Sequence, residues 1–165
     1  MRQTVLIVHD IRSTHNVGAL LRTAECLGAN HVYFTGYTPY PATTSDDRLP
    51  HIAAKLTKQI EKTSLGTETM IAWSHEPNVV ELVAQLKADG FVLVGLEQHP
   101  TSMPLNDLRT SKNIALLIGR EVEGIAPELL EQCDTIVEIP QFGKKKSLNV
   151  VQATAIALYH LSTLQ

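Results

Sequence analysis

An α/β fold, with a mostly parallel sheet covered by helices on both faces, is predicted by three observations. Residues 5–8, 91–96 and 114–118 are apolar almost without a break, the pattern of strands buried on both faces. These runs alternate with segments of helical periodicity, as in a chain that repeatedly crosses back over a parallel sheet. The 165 residues hold no internal repeat and no linker long enough to divide them, so a single domain, 1–165, with its own core is expected.

The elements follow in order. Residues 5–8 are rich in β-branched side chains and form the first strand. Ala19, Leu20, Ala24 and Leu27 recur at helical spacing, and Gly28 can close that helix in a left-handed conformation. Residues 31–35 are the second strand. The segment 36–50 carries Pro39, Pro41 and Pro50 and reads as loop. A short helical pattern covers 51–60, and 69–73 is a third strand. A helix over 77–88 has Pro77 near its first turn and Gly90 beyond its end. Strands at 91–96 and 114–118, a short helix at 127–132, a strand at 135–139 and a final helix at 148–164 complete the chain.

The formal net charge is −3, so no global basic field attracts nucleic acid, and any polyanion contact must be local. Lys144, Lys145 and Lys146 are the clearest local patch, and without a ligand they read as a solvated charge run. Cys26 and Cys133 lie far apart with no pairing motif. Only a short apolar run follows the first residues, so no signal peptide is expected, and no apolar stretch of the sequence is long enough to span a bilayer. A cytoplasmic protein with reduced thiols, without membrane attachment, is expected.

Ligands of open parallel sheets bind beyond the carboxyl ends of strands, where the strand order switches. Three loops of unusual composition follow strands here and are expected to converge: 10–18, 119–124 and 141–149. In the first, Asn16 is a helix cap or a functional amide. Gly18 weakens a helix start unless another backbone approaches closely. Arg22 is a solvated charge or a fork for phosphate. His9, Asp10 and His15 lack a second set of ligands, so no metal is expected. In the second loop, Glu121 between Gly119 and Gly124 is an exposed acidic turn or an acceptor for a ligand. It occupies the third position of a would-be dinucleotide fingerprint, which requires glycine. In the third, Gly143 and Lys144 resemble part of a phosphate-binding loop, but Glu138 stands where its first glycine belongs and Lys145 where a hydroxyl must meet magnesium. Ser147 reads as a helix cap, and Leu148 and Val150 as core.

The order and spacing of these segments carry more than any one of them. Asn16-x-Gly18-x-x-x-Arg22, Gly119-x-Glu121-x-x-Gly124 and Ile139-Pro140-x-x-Gly143-x-x-x-Ser147-Leu148-Asn149-Val150 closely resemble the three motifs of the SpoU, or TrmH-like, branch of the SPOUT methyltransferases. Residues 36–39 and 62–68 look like a compact subgroup of that family. The resemblance implies an α/β sheet whose C-terminal segment is threaded into a deep trefoil knot. It implies transfer of a methyl group from S-adenosylmethionine to a ribose 2′-hydroxyl of transfer or ribosomal RNA, by a homodimer whose active site lies near the subunit interface. Asn16, Arg22, Glu121, Ser147 and Asn149 fall on the family's catalytic positions. Leu96, Gly119, Ile139, Gly143 and Leu148 would line the cofactor pocket. This set is intact, which argues against a non-catalytic RNA-binding or assembly factor that kept the fold. Two positions depart from the pattern: Gln141 where the family usually has Met, and His15 where many relatives have Pro or another residue. The first motif begins almost at the first residue, so the extra N-terminal RNA-binding domain of many relatives is not expected. The apolar face of the last helix, Ala155, Leu158 and Leu161, is the expected subunit interface.

Overall fold

The computed structural model describes residues 2–164. Among them are seven strands and five helices, in the order Thr4–His9 (β1), Thr14–Cys26 (α1), His31–Thr35 (β2), Pro50–Ser64 (α2), Trp73–Glu76 (β3), Val79–Ala88 (α3), Val92–Leu96 (β4), Met103–Pro104 (β5), Ile114–Ile118 (β6), Pro127–Leu130 (α4), Thr135–Glu138 (β7) and Val150–Thr163 (α5). The strands form one sheet in the order β3-β2-β1-β6-β4-β7-β5, with every neighbouring pair parallel.

The unbroken apolar runs are explained by the pleat. Side chains alternate between faces, and both faces are covered. Leu6 and Val8 of β1, with Ile114, Leu116 and Ile118 of β6, face a core closed by Leu20, Leu21 and Ala24 of α1 and Leu158 and Leu161 of α5. Val5 and Ile7, with Ala115 and Leu117, face the opposite core beneath Val79, Val83 and Leu86 of α3 and Leu129 and Leu130 of α4. The chain runs outward from β1 through β2 to β3, then continues on the far side of the sheet from β4 to β7. The carboxyl ends of β1 and β6, which pair directly, therefore mark the switch point at which ligands of such sheets bind.

Several boundaries differ from expectation. The third strand is Trp73–Glu76, not 69–73. Gly66, at φ 94°, opens a 3-10 turn over Thr67–Thr69. After that turn Ile71 is buried in the core while Met70 is exposed, and Trp73, Ser74, His75 and Glu76 pair at the sheet edge. The two-residue edge strand β5 has too little sequence to show a period. The last helix begins at Val150 rather than at residue 148, and Asn149, not Ser147, caps it by accepting a hydrogen bond from Val151 N at 2.8 Å. Leu158 and Leu161 are buried in the chain's own core and are not a free interface face; Ile156 and Tyr159 are the exposed apolar side chains of α5. Among the described residues, no helix is long and apolar enough to cross a membrane.

Gly18 has the close approach that its place in the helix requires. A methyl group built there would overlap the Ile60 carbonyl oxygen and the Thr63 hydroxyl, so α1 lies with its backbone against α2. The Thr63 hydroxyl also donates to the His15 carbonyl at 2.9 Å.

Candidate active site

Asp10 is the first residue past β1, and its backbone is left-handed at φ 56°, a conformation rarely kept by a non-glycine residue unless its surroundings enforce it. The following loop enters α1 at Ser13, whose hydroxyl accepts from Asn16 N at 3.2 Å. Ser13 is thus the cap, and the Asn16 side chain is free for another task.

That task is a junction with the loop after β6. Asn16 Nδ2 donates to Glu121 Oε1 at 3.1 Å, Ser13 N to the same oxygen at 3.2 Å, and Arg12 N to Oε2 at 3.3 Å. The third motif joins from the other side: Asn149 Nδ2 donates to Asn16 Oδ1 at 3.5 Å. Partial burial alone would push the Glu121 carboxyl up. Hydrogen bonds from its own backbone, from Asn16 and from the Ser13 and Arg12 amides outweigh it and hold the group below the ordinary glutamate value. Glu121 is therefore an ionised acceptor that fixes the start of α1.

The turn that carries Glu121 is folded tightly on itself. Arg120 N and Gly124 N each donate to the other's carbonyl at 3.1 Å. A methyl group on Gly119 would come within 2.6 Å of the Gly124 and Ile125 backbone, and one on Gly124, at φ 73°, would overlap the Glu97 carboxylate. Glu97 in turn accepts from Ile125 N at 3.0 Å.

Beside this junction lies a cavity of about 320 Å³, within the range of small-molecule sites. Leu96, Gly119, Glu121, Ile139, Ser147 and Leu148 line it. Glu97, Gln98, Gln141 and Lys146 also line it. Glu97 and Gln98 escaped the sequence reading, although a carboxylate and an amide directly after an apolar strand are a signal for the carboxyl edge of a sheet. Gln98 Nε2 donates to the Lys146 carbonyl at 2.7 Å, tying the third loop to the end of β4. Gln141 Nε2 turns back to the Ile139 carbonyl at 2.7 Å.

Two expected site residues stand apart. Gly143 does not line the cavity, and a methyl group built on it would meet open space. Arg22 lies six residues beyond Asn16, about 9 Å along the helix axis. It borders a separate depression between α1, α2 and α5, with Cys26, Lys62, Leu65 and Ala155. In one chain, Asn16, Glu121 and Asn149 meet while Arg22 faces elsewhere. Lys144, Lys145 and Lys146 are exposed.

The fold, its switch-point cavity and the three joined loops define an α/β ligand-binding protein whose site is built from segments at both ends of the chain. Residues 3–159 match the model of the SpoU rRNA Methylase family, and the chain belongs to that family. It is 28% identical over 160 residues to a tRNA (guanosine(18)-2′-O)-methyltransferase of Aquifex aeolicus, covering 96% of this chain and 69% of that protein. It is 31% identical over 156 residues to the 23S rRNA (guanosine-2′-O-)-methyltransferase RlmB of Acinetobacter baylyi, covering 94% of this chain and 57% of that protein. The crystal structure of the SpoU methyltransferase AviRb from Streptomyces viridochromogenes in complex with the cofactor AdoMet superposes with a TM-score of 0.77 at 26% identity, covering 98% of this chain and 59% of that one.

Proposed function

We infer that this protein is a cytoplasmic RNA methyltransferase that uses S-adenosylmethionine and modifies a ribose 2′-hydroxyl of transfer or ribosomal RNA. The observation that carries the reading is the meeting of Asn16, Glu121 and Asn149 at the rim of a cavity lined by Ser147 and Leu148. The lining fits the cofactor: Leu96, Ile139 and Leu148 offer apolar surface to an adenine ring, and the nearby carboxylates of Glu97 and Glu121 favour a cationic sulfonium. When bound there, that cofactor supplies an electrophilic methyl group. The knotted threading of the C-terminal segment belongs to the same proposal.

The chain's own residues must place a ribose oxygen and help to remove its proton. Positioning is the larger effect, since well-oriented reactants gain roughly 7–11 kcal/mol, whereas general-base assistance adds about 10²–10⁴-fold. Glu121 is unsuited to be the base, because its oxygens are already engaged and its carboxyl is held acidic. It serves as the clamp that orients Asn16 and the start of α1. Ser147 and Asn149 hold the ribose or its neighbouring backbone. The Arg22 guanidinium grips the phosphate beside the target ribose and stabilises the charge developing on the 2′-oxygen, whose proton is released to solvent as the new methyl–oxygen bond forms.

Arg22 lies away from the cavity of its own chain, so we propose that it acts on the site of a second copy in a homodimer. The exposed Ile156 and Tyr159 of α5 would contribute to the contact. Mixing an Arg22→Ala protein with a Ser147→Ala protein tests this, because the hybrid regains one intact site only if Arg22 acts across the interface. Absence of rescue after verified subunit exchange rejects action in trans. The reaction itself is tested by mapping 2′-O-methyl positions in RNA from cells with and without the protein. Cofactor binding accompanied by no lost position would instead identify a non-catalytic RNA-binding factor.

A further inference from the structure

Segment 36–38 is held with unusual firmness beneath the first loop. Asp10 Oδ1 accepts from Tyr37 N at 3.1 Å, and Gly36, at φ 62°, lies so close that a methyl group there would overlap the same oxygen. The Thr38 hydroxyl is buried; it donates to the Val8 carbonyl at 3.0 Å and accepts from Ile11 N at 3.1 Å. Asp10 also lies 3.3 Å from His9 Nε2 and 3.9 Å from Arg120 Nε. Two loops at the carboxyl ends of β1 and β2 are thereby locked together.

Between these pinned neighbours the Tyr37 side chain points outward, and the residue is 51% exposed. The other aromatic of this loop is treated differently. Tyr40 stacks on His75 at 4.0 Å and is covered at 3.6 Å by Arg48, which is itself paired with Asp46. Beside the Tyr37 ring stands the exposed Arg12, whose guanidinium carbon lies 5.8 Å from the ring centroid. Arg12 is also the residue whose backbone amide binds Glu121. A ring and a guanidinium therefore stand on a rigid base, one residue contact from the cavity rim. Their chemistry is that of a site for unpaired nucleotides: an aromatic face for a base and a cation for the adjacent phosphate. In a protein of net charge −3, Arg12 also offsets the Glu121 and Glu123 carboxylates that would repel a phosphate at this edge.

We propose that Tyr37 and Arg12 form a stacking platform that holds an unpaired nucleotide next to the one presented to the cavity. This inference rests on the reading of the cavity as an RNA-modifying site, and the test separates the two. Fluorescence anisotropy is measured with labelled oligoadenylate, oligouridylate and bulk transfer RNA, alongside calorimetry with S-adenosylmethionine. Tyr37→Ala should weaken RNA binding about 5-fold to about 150-fold, the range of one lost stack, with cofactor affinity unchanged. Tyr37→Phe and Tyr37→Trp should bind RNA as the wild type does. Arg12→Gln should lower the slope of log affinity against log salt by about 0.7–0.9, whereas Tyr37→Ala should not change it. Wild-type binding retained in Tyr37→Ala overturns the platform alone, as does a Phe variant as weak as the Ala variant, because the hydroxyl and not the ring would then matter. A wild-type protein that binds none of these RNAs overturns the platform and the reading beneath it together.

Discussion

Three donors converge on Glu121, from Asn16, Ser13 and Arg12, and a neutral amide cannot replace such an acceptor. Glu121→Gln should lower turnover by about 10²-fold through misplacement of α1, and S-adenosylmethionine affinity measured by calorimetry should fall as well, because the lost carboxylate lines the cofactor cavity. Protonation gives the same result reversibly. Because the carboxyl is held below its ordinary value of 4.5, its stabilisation is complete above that pH and is lost as pH falls through the lower folded-state value. His9 adds a second acid-sensitive step. Burial pushes its imidazole below 6.5, Asp10 opposes that and Arg120 adds to it; the ring is neutral in the folded protein and accommodates a proton poorly. Stability contributed by this residue is complete above pH 6.5 and is lost as pH falls from there towards the folded-state value. Urea midpoints should therefore decline below pH 6.5, and His9→Gln should make that decline shallower, with His31, also depressed by burial, supplying the remainder. The two thiols differ as well. Burial pushes the Cys133 thiol up to about 11, whereas Cys26 is exposed. Iodoacetamide at pH 8 should label Cys26 first, as read by mass spectrometry of the intact protein.

Helices α1, α2 and α5 are the elements whose placement decides the site. The contact of α1 with α2 is backbone against side chain and backbone at Gly18. Gly18→Ala would gain helix propensity in an isolated helix, yet here it should destabilise by about 1–3 kcal/mol through overpacking, as measured by urea unfolding. The start of α5 depends on Asn149, which both caps the helix and reaches Asn16. Asn149→Ala should lose about 1 kcal/mol of stability and reduce methyl transfer by more than that loss explains, because the removed amide also holds Asn16.

For the whole molecule, the architecture was largely legible in the chain. Apolar runs such as that of β6 required a sheet covered on two faces, and Gly28 and Gly90, at φ 74° and 84°, end helices where they were expected to. The third strand was misplaced because its pairing residues Ser74, His75 and Glu76 are polar, whereas the more apolar run before them holds only one buried side chain, Ile71. The site was legible as three loops, since motif order survives without coordinates. Its internal wiring was not, because hydrogen bonds between residues 105 and 133 positions apart leave no mark on local sequence. The face of α5 was misassigned for a related reason: Leu158 and Leu161 are apolar whether they meet a partner or the sheet of their own chain. Equilibrium sedimentation should show a dimer that Tyr159→Glu weakens.

The bond from Asn149 to Asn16 joins the start of the first helix to the start of the last. During synthesis, the amino-terminal half of this constellation leaves the ribosome long before its carboxyl-terminal counterpart exists. A nascent chain halted after β7 should thus be inert however well its sheet has formed, and competence should arrive in one step when the final helix docks.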